Sequence, residues 1–523
     1  MGFDTNNNCN RSMYEMFLPK KNVVKTIATV TDQPEIIPEK HADESAEKKK
    51  VVRVNDHRVS RWATSKEVKD SFDSIDTKTD MVIKSGGVPM WYEDSMLYVD
   101  GSDNHTMIVG STGSMKSRRV LGPTIRNLCM AGESMIVADP KGELLRWNHV
   151  KLKENGYNLK VIDLRDPTRS DRWNPLLTLA AMVKNDNPTI SDTGTKLIWD
   201  LCYTMIPNST SNDPYWENSA RGLLYGLIRL LIRNEENPES VTFDNVIALK
   251  NSIFRDDTDR ELFLLTLDDD DPVFTSMSAT LINAENTRRC ILSNLDSFIM
   301  NYISIPSVSS MMSESEIDLF KIGFEKTAVF IIIPDEIESM NFIVSTFVSE
   351  AYHALIMKAQ ELDCARLPIR VNFILDEFGN IPMIKGMKGM ITASRSRNIR
   401  FMLSVQSQNQ LKNMYGADAE TITSNCLSLI YLYSRDYEYL TYLCNIVGTD
   451  ADGKNLISPS SLLHLNKEKG EALVINGRMY PFISNLKDMG EILSAGEDCP
   501  YEAEIRTTSI NSQKKPTKRS KKI

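Results

Sequence analysis

Residues Gly110 to Ser117 read GSTGSMKS and directly follow the apolar run Met107-Ile108-Val109. The octapeptide is one residue away from a phosphate-binding P-loop, G-x-x-x-x-G-K-[ST]. Gly110, Lys116 and Ser117 match, and Met115 stands where the pattern has glycine. A P-loop works because a strand delivers a turn of backbone N–H groups to the phosphates and the next helix adds its N-terminal dipole. Gly110, Ser111, Thr112, Gly113, Ser114 and Met115 would form that cradle. Lys116 would neutralise phosphate oxygens, and the Ser117 hydroxyl would ligate Mg²⁺. Met115 is the departure. Glycine before the lysine lets the backbone pass close to phosphate with no Cβ in the way, so a methionine fits if its φ is negative and its side chain points outward.

The second half of such a site is a strand ending in acids, and VNFILDEFGN (371–380) supplies one. Asp376 at the strand tip would hold Mg²⁺, and Glu377 would polarise the attacking water as general base. A strand that simply ends in solvated acids is the plain alternative, but the upstream octapeptide argues against it. Gln406 closes the next apolar run, RFMLSV (400–405), where an amide could sense the γ-phosphate or orient water. Arg395 and Arg397 precede that run and Arg400 opens it. They are either salt-bridged surface groups or, in a ring, donors to a neighbour's nucleotide.

Outward from these motifs, short β-rich runs recur at 107–109, 135–138, 160–163, 328–334, 371–376, 400–405, 427–432 and 472–475. Continuous apolar runs separated by helical stretches are what a parallel sheet buried on both faces demands, so the expectation is a doubly wound α/β fold. From about 185 to 320 the pattern turns helical. Leu197, Ile198, Leu201, Cys202, Met205 and Ile206 share one face, and 221–234 and 288–303 have the same periodicity. The expected organisation has four parts. They are a polar extension (1–60), a nucleotide-binding domain (61–184 with 320–497), an inserted all-α domain (185–319) and a basic tail (498–523).

Bulk properties bound the function. The net charge of −9 argues against a uniformly DNA-coating protein but not against a local basic surface. The eight cysteines form no C-x-x-C pair and read as reduced thiols. No run approaches the ~20 apolar residues needed to cross a bilayer. The expectation is a soluble cytoplasmic protein. The acidic run at 268–271 precedes Pro272 and reads as a solvated loop or helix end, not a metal site.

In this order the pieces resemble the VirD4/TraG family of type IV secretion coupling proteins, RecA/FtsK-like P-loop ATPases. SRWAT (60–64), MIVADPKGELL (135–145), DRWNPL (171–176), DPYWENSARGLL (213–224), AVFIIIPDE (328–336), FILDEFGNI (373–381), SRSRNIRFMLSVQSQNQL (394–411) and LVINGRMYPF (473–482) carry the resemblance, over residues 60–495. It implies a nucleotide-binding domain with an inserted all-α domain facing the substrate. It also implies a homo-hexameric ring at the inner face of the bacterial plasma membrane. The ring would take a relaxase bound to single-stranded DNA, or a protein, and use ATP and Mg²⁺ to deliver it to the channel's ATPase or membrane subunits. Carried over by position, Lys116, Ser117, Asp376 and Glu377 are the ATP and Mg²⁺ residues and Gln406 the sensor. Arg395 is the finger acting in trans, and Arg397 and Arg400 serve structure or the interface. The family usually begins with transmembrane helices, so this chain would need a separate membrane anchor. Two other readings compete: a hydrolysis-impaired nucleotide-binding adaptor, suggested by Met115, and a soluble hexameric helicase or packaging motor.

Overall fold

The computed structural model describes residues 59–77, 83–208, 214–334, 340 and 342–503. The expected polar extension up to residue 58 and the basic tail from residue 504 lie outside the described residues. Near the N-terminal side, β1 (Asp73–Asp76), β2 (Val88–Glu93) and β3 (Met96–Asp100) form a small antiparallel sheet in the order β1-β3-β2. The sequence reading contained none of these three strands, since their alternation is short and half-exposed.

The large sheet has nine strands. They are β4 (Thr106–Gly110), β5 (Ser134–Asp139), β6 (Asn158–Asp163), β7 (Thr327–Ile332), β8 (Val371–Leu375), β9 (Ile399–Val405), β10 (Ser428–Tyr433), β11 (Glu471–Asn476) and β12 (Phe482–Asn485). Their order is β12-β11-β10-β4-β9-β8-β5-β7-β6. All pairs from β10 to β6 are parallel, and β11 and β12 add antiparallel at one edge. Each of the eight apolar runs read from the sequence is a strand. The antiparallel edge and β12 were not foreseen.

Alternation along each strand divides the sheet into two faces. On one face Met107, Val109, Ile136, Ile331, Phe373 and Phe401 join a core shared with the helices Pro188–Met205, Tyr215–Asn234, Glu285–Ile303 and Phe342–Gln360. Their partners in the strands, Ile108, Met135, Val137, Phe330, Ile374 and Met402, meet the helices Gly122–Ala131 and Glu143–Glu154 on the other face. Helices on both faces explain why the strand sequences read as unbroken apolar runs.

Between β6 and β7 every α-helix from Leu177–Val183 to Pro306–Met311 follows without a strand. The helix Pro188–Met205 buries Leu197, Ile198, Leu201, Cys202 and Met205, the face expected from periodicity, and Ile206 caps its end. The acidic run behaves as a helix end. Asp268, Asp269 and Asp270 are exposed, and Asp271 caps the helix Pro272–Leu281 by accepting from Val273 N–H at 2.8 Å while pairing with Arg233 at 2.6 Å. The seven described cysteines are unpaired, and no group of metal-ligating residues occurs among the described residues.

Candidate nucleotide-hydrolysis site

The site forms at the C-terminal ends of three adjacent parallel strands, β4, β9 and β8. Parallel pairing places the ends of all three on one rim, so residues 110–117, 404–406 and 376–377 converge although nearly 300 positions separate the first from the last. Open α/β sheets bind ligands at this rim.

The loop after β4 turns back on itself, with Ser114 N–H donating to Ser111 C=O at 3.0 Å. Gly113 has φ +78° and Met115 has φ +70°. The negative φ that would have made methionine unremarkable is therefore not adopted. Met115 holds the left-handed conformation that a glycine takes freely, at a cost of about 1–2 kcal/mol for a residue with a Cβ. Its side chain is half-exposed. At Gly110 an added Cβ would lie 2.3 Å from the Ser114 Oγ and force that hydroxyl to move.

Lys116 is 5% exposed, and its Nζ donates to the Gly110 carbonyl at 2.5 Å and sits 3.8 Å from Glu377 Oε1. Burial lowers its pKa, while the Glu377 and Asp376 carboxylates oppose that shift. Ser117 Oγ donates to Asp376 Oδ2 at 2.9 Å. The other carboxylate oxygen, Asp376 Oδ1, accepts from Ser404 Oγ at 2.8 Å and from the Glu377 backbone N–H at 2.9 Å. Glu377 itself has φ +50°, a second strained non-glycine residue in the site. Strain of this kind concentrates where function holds a side chain in place. Gln406 Nε2 donates to Glu377 Oε2 at 2.8 Å. Beside Glu377 opens a groove of about 580 Å³, lined also by Pro140, Pro334 and Asn380.

The residues present suit a Mg²⁺-nucleotide. Ser114 Oγ is buried without a partner, next to a loop whose backbone curls around it. A buried ammonium rests on a carbonyl and a carboxylate, which a phosphate can replace. A hydroxyl and a carboxylate meet at 2.9 Å where an oxygen-coordinated cation would sit between them. Downstream of Ser117 the chain is helical at once. A π-turn, Ser117–Leu121, runs into the helix Gly122–Ala131, and the Gly122 N–H reaches back to the Ser117 carbonyl.

Two residues of this neighbourhood were not singled out from sequence. Ser404 orients Asp376 from the middle strand. The lone hydroxyl in the apolar run RFMLSV, two residues before Gln406, was the available signal. Asp139 at the tip of β5 is fully buried and accepts from Leu145 N–H at 2.9 Å, so it caps the helix Glu143–Glu154, while Gly142 takes φ +70° to make the turn. Burial, with Asp376 nearby, pushes its carboxyl up to about 7. The DPKGE signature thus has a local physical account: an aspartate cap and a left-handed glycine.

The arginines separate. Arg400 is 1% exposed and donates to Asn372 Oδ1 at 2.8 Å, Ser102 C=O at 2.9 Å and Gly86 C=O at 3.1 Å, with Glu133 at 3.3 Å. It is a structural residue. Arg397 donates to the Ala365 carbonyl at 3.0 Å. Arg395 is exposed and touches Asn104 at 3.4 Å. It precedes β9 whereas Gln406 follows it, so the seven-residue strand, roughly 23 Å at ~3.3 Å per residue, separates the two. Arg395 is out of reach of its own subunit's site.

Comparison with known proteins agrees with this geometry. The family model described as "Type IV secretory system Conjugative DNA transfer" matches residues 61–467. Protein VirD4 of Rhizobium rhizogenes is 22% identical over 376 residues, covering 69% of this chain and 51% of that protein. Protein VirD4 of Agrobacterium fabrum matches to the same extent. The chain spans about half the length of the curated relatives it matches. Among solved structures, the plasmid coupling protein TrwB in complex with a non-hydrolysable ATP analogue superposes with a TM-score of 0.55 at 16% identity, covering 82% of this chain and 93% of that one. TrwB in complex with ADP and Mg²⁺ superposes equally well at 17% identity. The likeness to TrwB shows the fold, a RecA-like α/β architecture with a mostly parallel sheet. No helix among the described residues is long and apolar enough to cross a membrane. With a matching family model over most of its length and the motifs converging on one rim, the chain belongs to the VirD4/TraG-like coupling proteins of type IV secretion, the conjugative DNA-transfer family.

Proposed function

We propose that this protein is an ATP-dependent coupling motor that delivers a relaxase–single-stranded DNA complex, or a protein, to a type IV secretion channel. The observation that carries the reading is the convergence of Lys116, Ser117, Asp376, Glu377 and Gln406 within mutual hydrogen-bond or ion-pair reach. Lys116 would exchange the Gly110 carbonyl for phosphate oxygens. Ser117 and Asp376 would hold Mg²⁺, which when bound neutralises phosphate charge. Glu377 would accept the proton of the attacking water, with Gln406 fixing the orientation of its carboxylate. Ser404 and the Glu377 N–H hold one Asp376 oxygen and leave the other to Ser117, so the Asp376 and Glu377 side chains would have separate tasks.

A ring is what the assignment of Arg395 requires. An exposed arginine far from its own site serves hydrolysis only when a neighbour brings its nucleotide to it, where such a finger contributes on the order of a thousand- to a hundred-thousand-fold in rate. A homo-hexamer with the helices from about 185 to 319 turned toward the substrate is the arrangement we infer. It would sit at the inner face of the plasma membrane, against channel subunits.

One observation favours a second reading, a nucleotide-binding adaptor that recruits substrate without pumping. Met115 carries left-handed strain and a Cβ inside the phosphate loop. ATP hydrolysis by the purified chain, with and without single-stranded DNA, beside the Met115→Gly variant, decides between them. DNA-stimulated turnover in the unmodified chain supports the motor. Turnover restricted to the glycine variant supports the adaptor.

A further inference from the structure

A second cavity lies behind the phosphate loop, on the far side of the helix that begins at Ser117. It encloses about 270 Å³ between that helix, the small sheet and the segment Leu486–Ser494. Ile75, Leu97, Met130 and Ile492 supply apolar walls, and Arg119, Arg126 and Lys487 supply charge. We propose that this cavity is a binding site for a small organic anion, a carboxylate or phosphate monoester on a compact apolar body.

Three features carry the inference. First, the cations are fixed and buried. Arg119 is 5% and Arg126 9% exposed. They stand seven residues apart along one helical segment, two turns of one face. Arg119 is anchored by the carbonyls of Leu486 and Glu468, and Arg126 by Glu497 at 2.9 Å. Lys487 holds its ammonium 3.8 Å from the centre of the Tyr92 ring. Second, their donors are not exhausted. Arg119 Nε and Arg126 Nη1 are buried with no hydrogen-bond partner, and a guanidinium offers five N–H groups in a rigid fork suited to a planar or tetrahedral oxyanion.

Third, the charge balance is local and opposite to that of the whole chain. The lining holds three cationic side chains and a single acid, Glu491, with Glu497 outside the lining paired to Arg126, in a protein of net charge −9. Glu491 is already engaged, since its carboxylate accepts the Asp488 N–H in the cap of the helix Met489–Ile492. The apolar walls select against a bare inorganic anion. The volume, just below the range of about 300–1,000 Å³ usual for ligand pockets, selects for one ring or a short chain. Phosphate-loop nucleotide is a separate ligand, because Lys116 and Ser117 are not among the lining residues.

Calorimetric titration of the full chain with phenyl phosphate and with benzoate tests the site, with benzamidine as the cation of the same shape. The expected result is saturable binding of at least one anion, unchanged by Lys116→Ala, and none of benzamidine. Which anion binds identifies the headgroup. Arg126→Gln should weaken binding about ten- to a hundredfold, the worth of a charge-assisted hydrogen bond. Met130→Trp, which fills the cavity and leaves the Arg126–Glu497 pair intact, should abolish it even if the arginine variant proves unstable. Absence of saturation by both anions at millimolar concentration overturns the proposal, as does binding that survives Met130→Trp.

Discussion

The two ends of the central strands are built from the same residue types to opposite purposes. At the C-terminal ends of β4, β8 and β9, Lys116, Asp376 and Glu377 sit under strained backbone. One buried hydroxyl is left over, and the ammonium rests on a carbonyl it can abandon. At the N-terminal ends, Arg400, Glu133, Arg370 and Asn372 form a closed network. Glu133 accepts from Gly86 N–H and Asn372 Nδ2 at 3.0 Å each and pairs with both arginines. Asp100 accepts from Ser428 Oγ and Asn476 Nδ2 at 2.7 Å, tying the small sheet to the large one. A satisfied polar network holds one arrangement, whereas an unsatisfied one is available for a ligand. The strand direction decides which end is which.

The comparison is open to attack from both sides. The largest effect should come from Glu377→Gln, which keeps the Gln406 contact but removes the proposed proton acceptor. ATP turnover should fall a hundred- to ten-thousand-fold with nucleotide still bound. Unreduced turnover would remove the assigned base. At the other end, Arg400→Ala should leave Glu133 without its most buried partner and lower stability by about 3–5 kcal/mol in urea unfolding, a loss that breaking a buried pair typically brings. A change below about 1 kcal/mol would mean that the network is not closed in the sense argued here.

A smaller effect is expected from His105, fully buried beside that network. Its Nδ1 accepts from Phe401 N–H at 3.0 Å, and burial lowers its pKa from 6.5 to about 4. Because the folded value lies below the unfolded one, its contribution is complete above about pH 6.5 and is lost as pH falls toward 4. Moving from pH 7 to pH 5 should cost on the order of 2 kcal/mol from this group, read as the difference in pH dependence between the unmodified chain and His105→Gln. Smallest is Met115→Gly. Relief of the left-handed φ should stabilise the chain by about 1 kcal/mol and raise its unfolding temperature. Destabilisation would show that the Met115 side chain contributes packing worth more than the strain.

How much of this was legible varied by physical cause. Eight strands of the large sheet could be read because most are buried on both faces, which writes a continuous apolar signature. β1, β2, β3 and β12 could not, because they are short, partly solvated strands of a small sheet or a sheet edge and their alternation is indistinct. The loop residues, Asp376, Glu377 and Gln406 were readable because the chemistry demands those types at strand ends. Ser404 and Asp139 were not, because a hydroxyl inside an apolar run and an aspartate after a strand have many uses. The pairing of Ser404 with Asp376 exists only once β9 lies between β4 and β8.

The sequence by itself determined the class of sheet, the alternation of strands with helices and the identity of the residues on the rim. Each of these follows from local periodicity and side-chain chemistry. Tertiary structure alone decided three further things. Met115 takes a positive φ because the loop must close over Ser114. Arg395 stands a full strand away from its own site because parallel strands send their two ends to opposite rims. Arg119 and Arg126 become a cavity's lining because the segment Leu486–Ser494, more than 350 residues later, folds across the helix that carries them. Spacing along the chain fixes which side chains share a helix face, but only packing decides what that face meets.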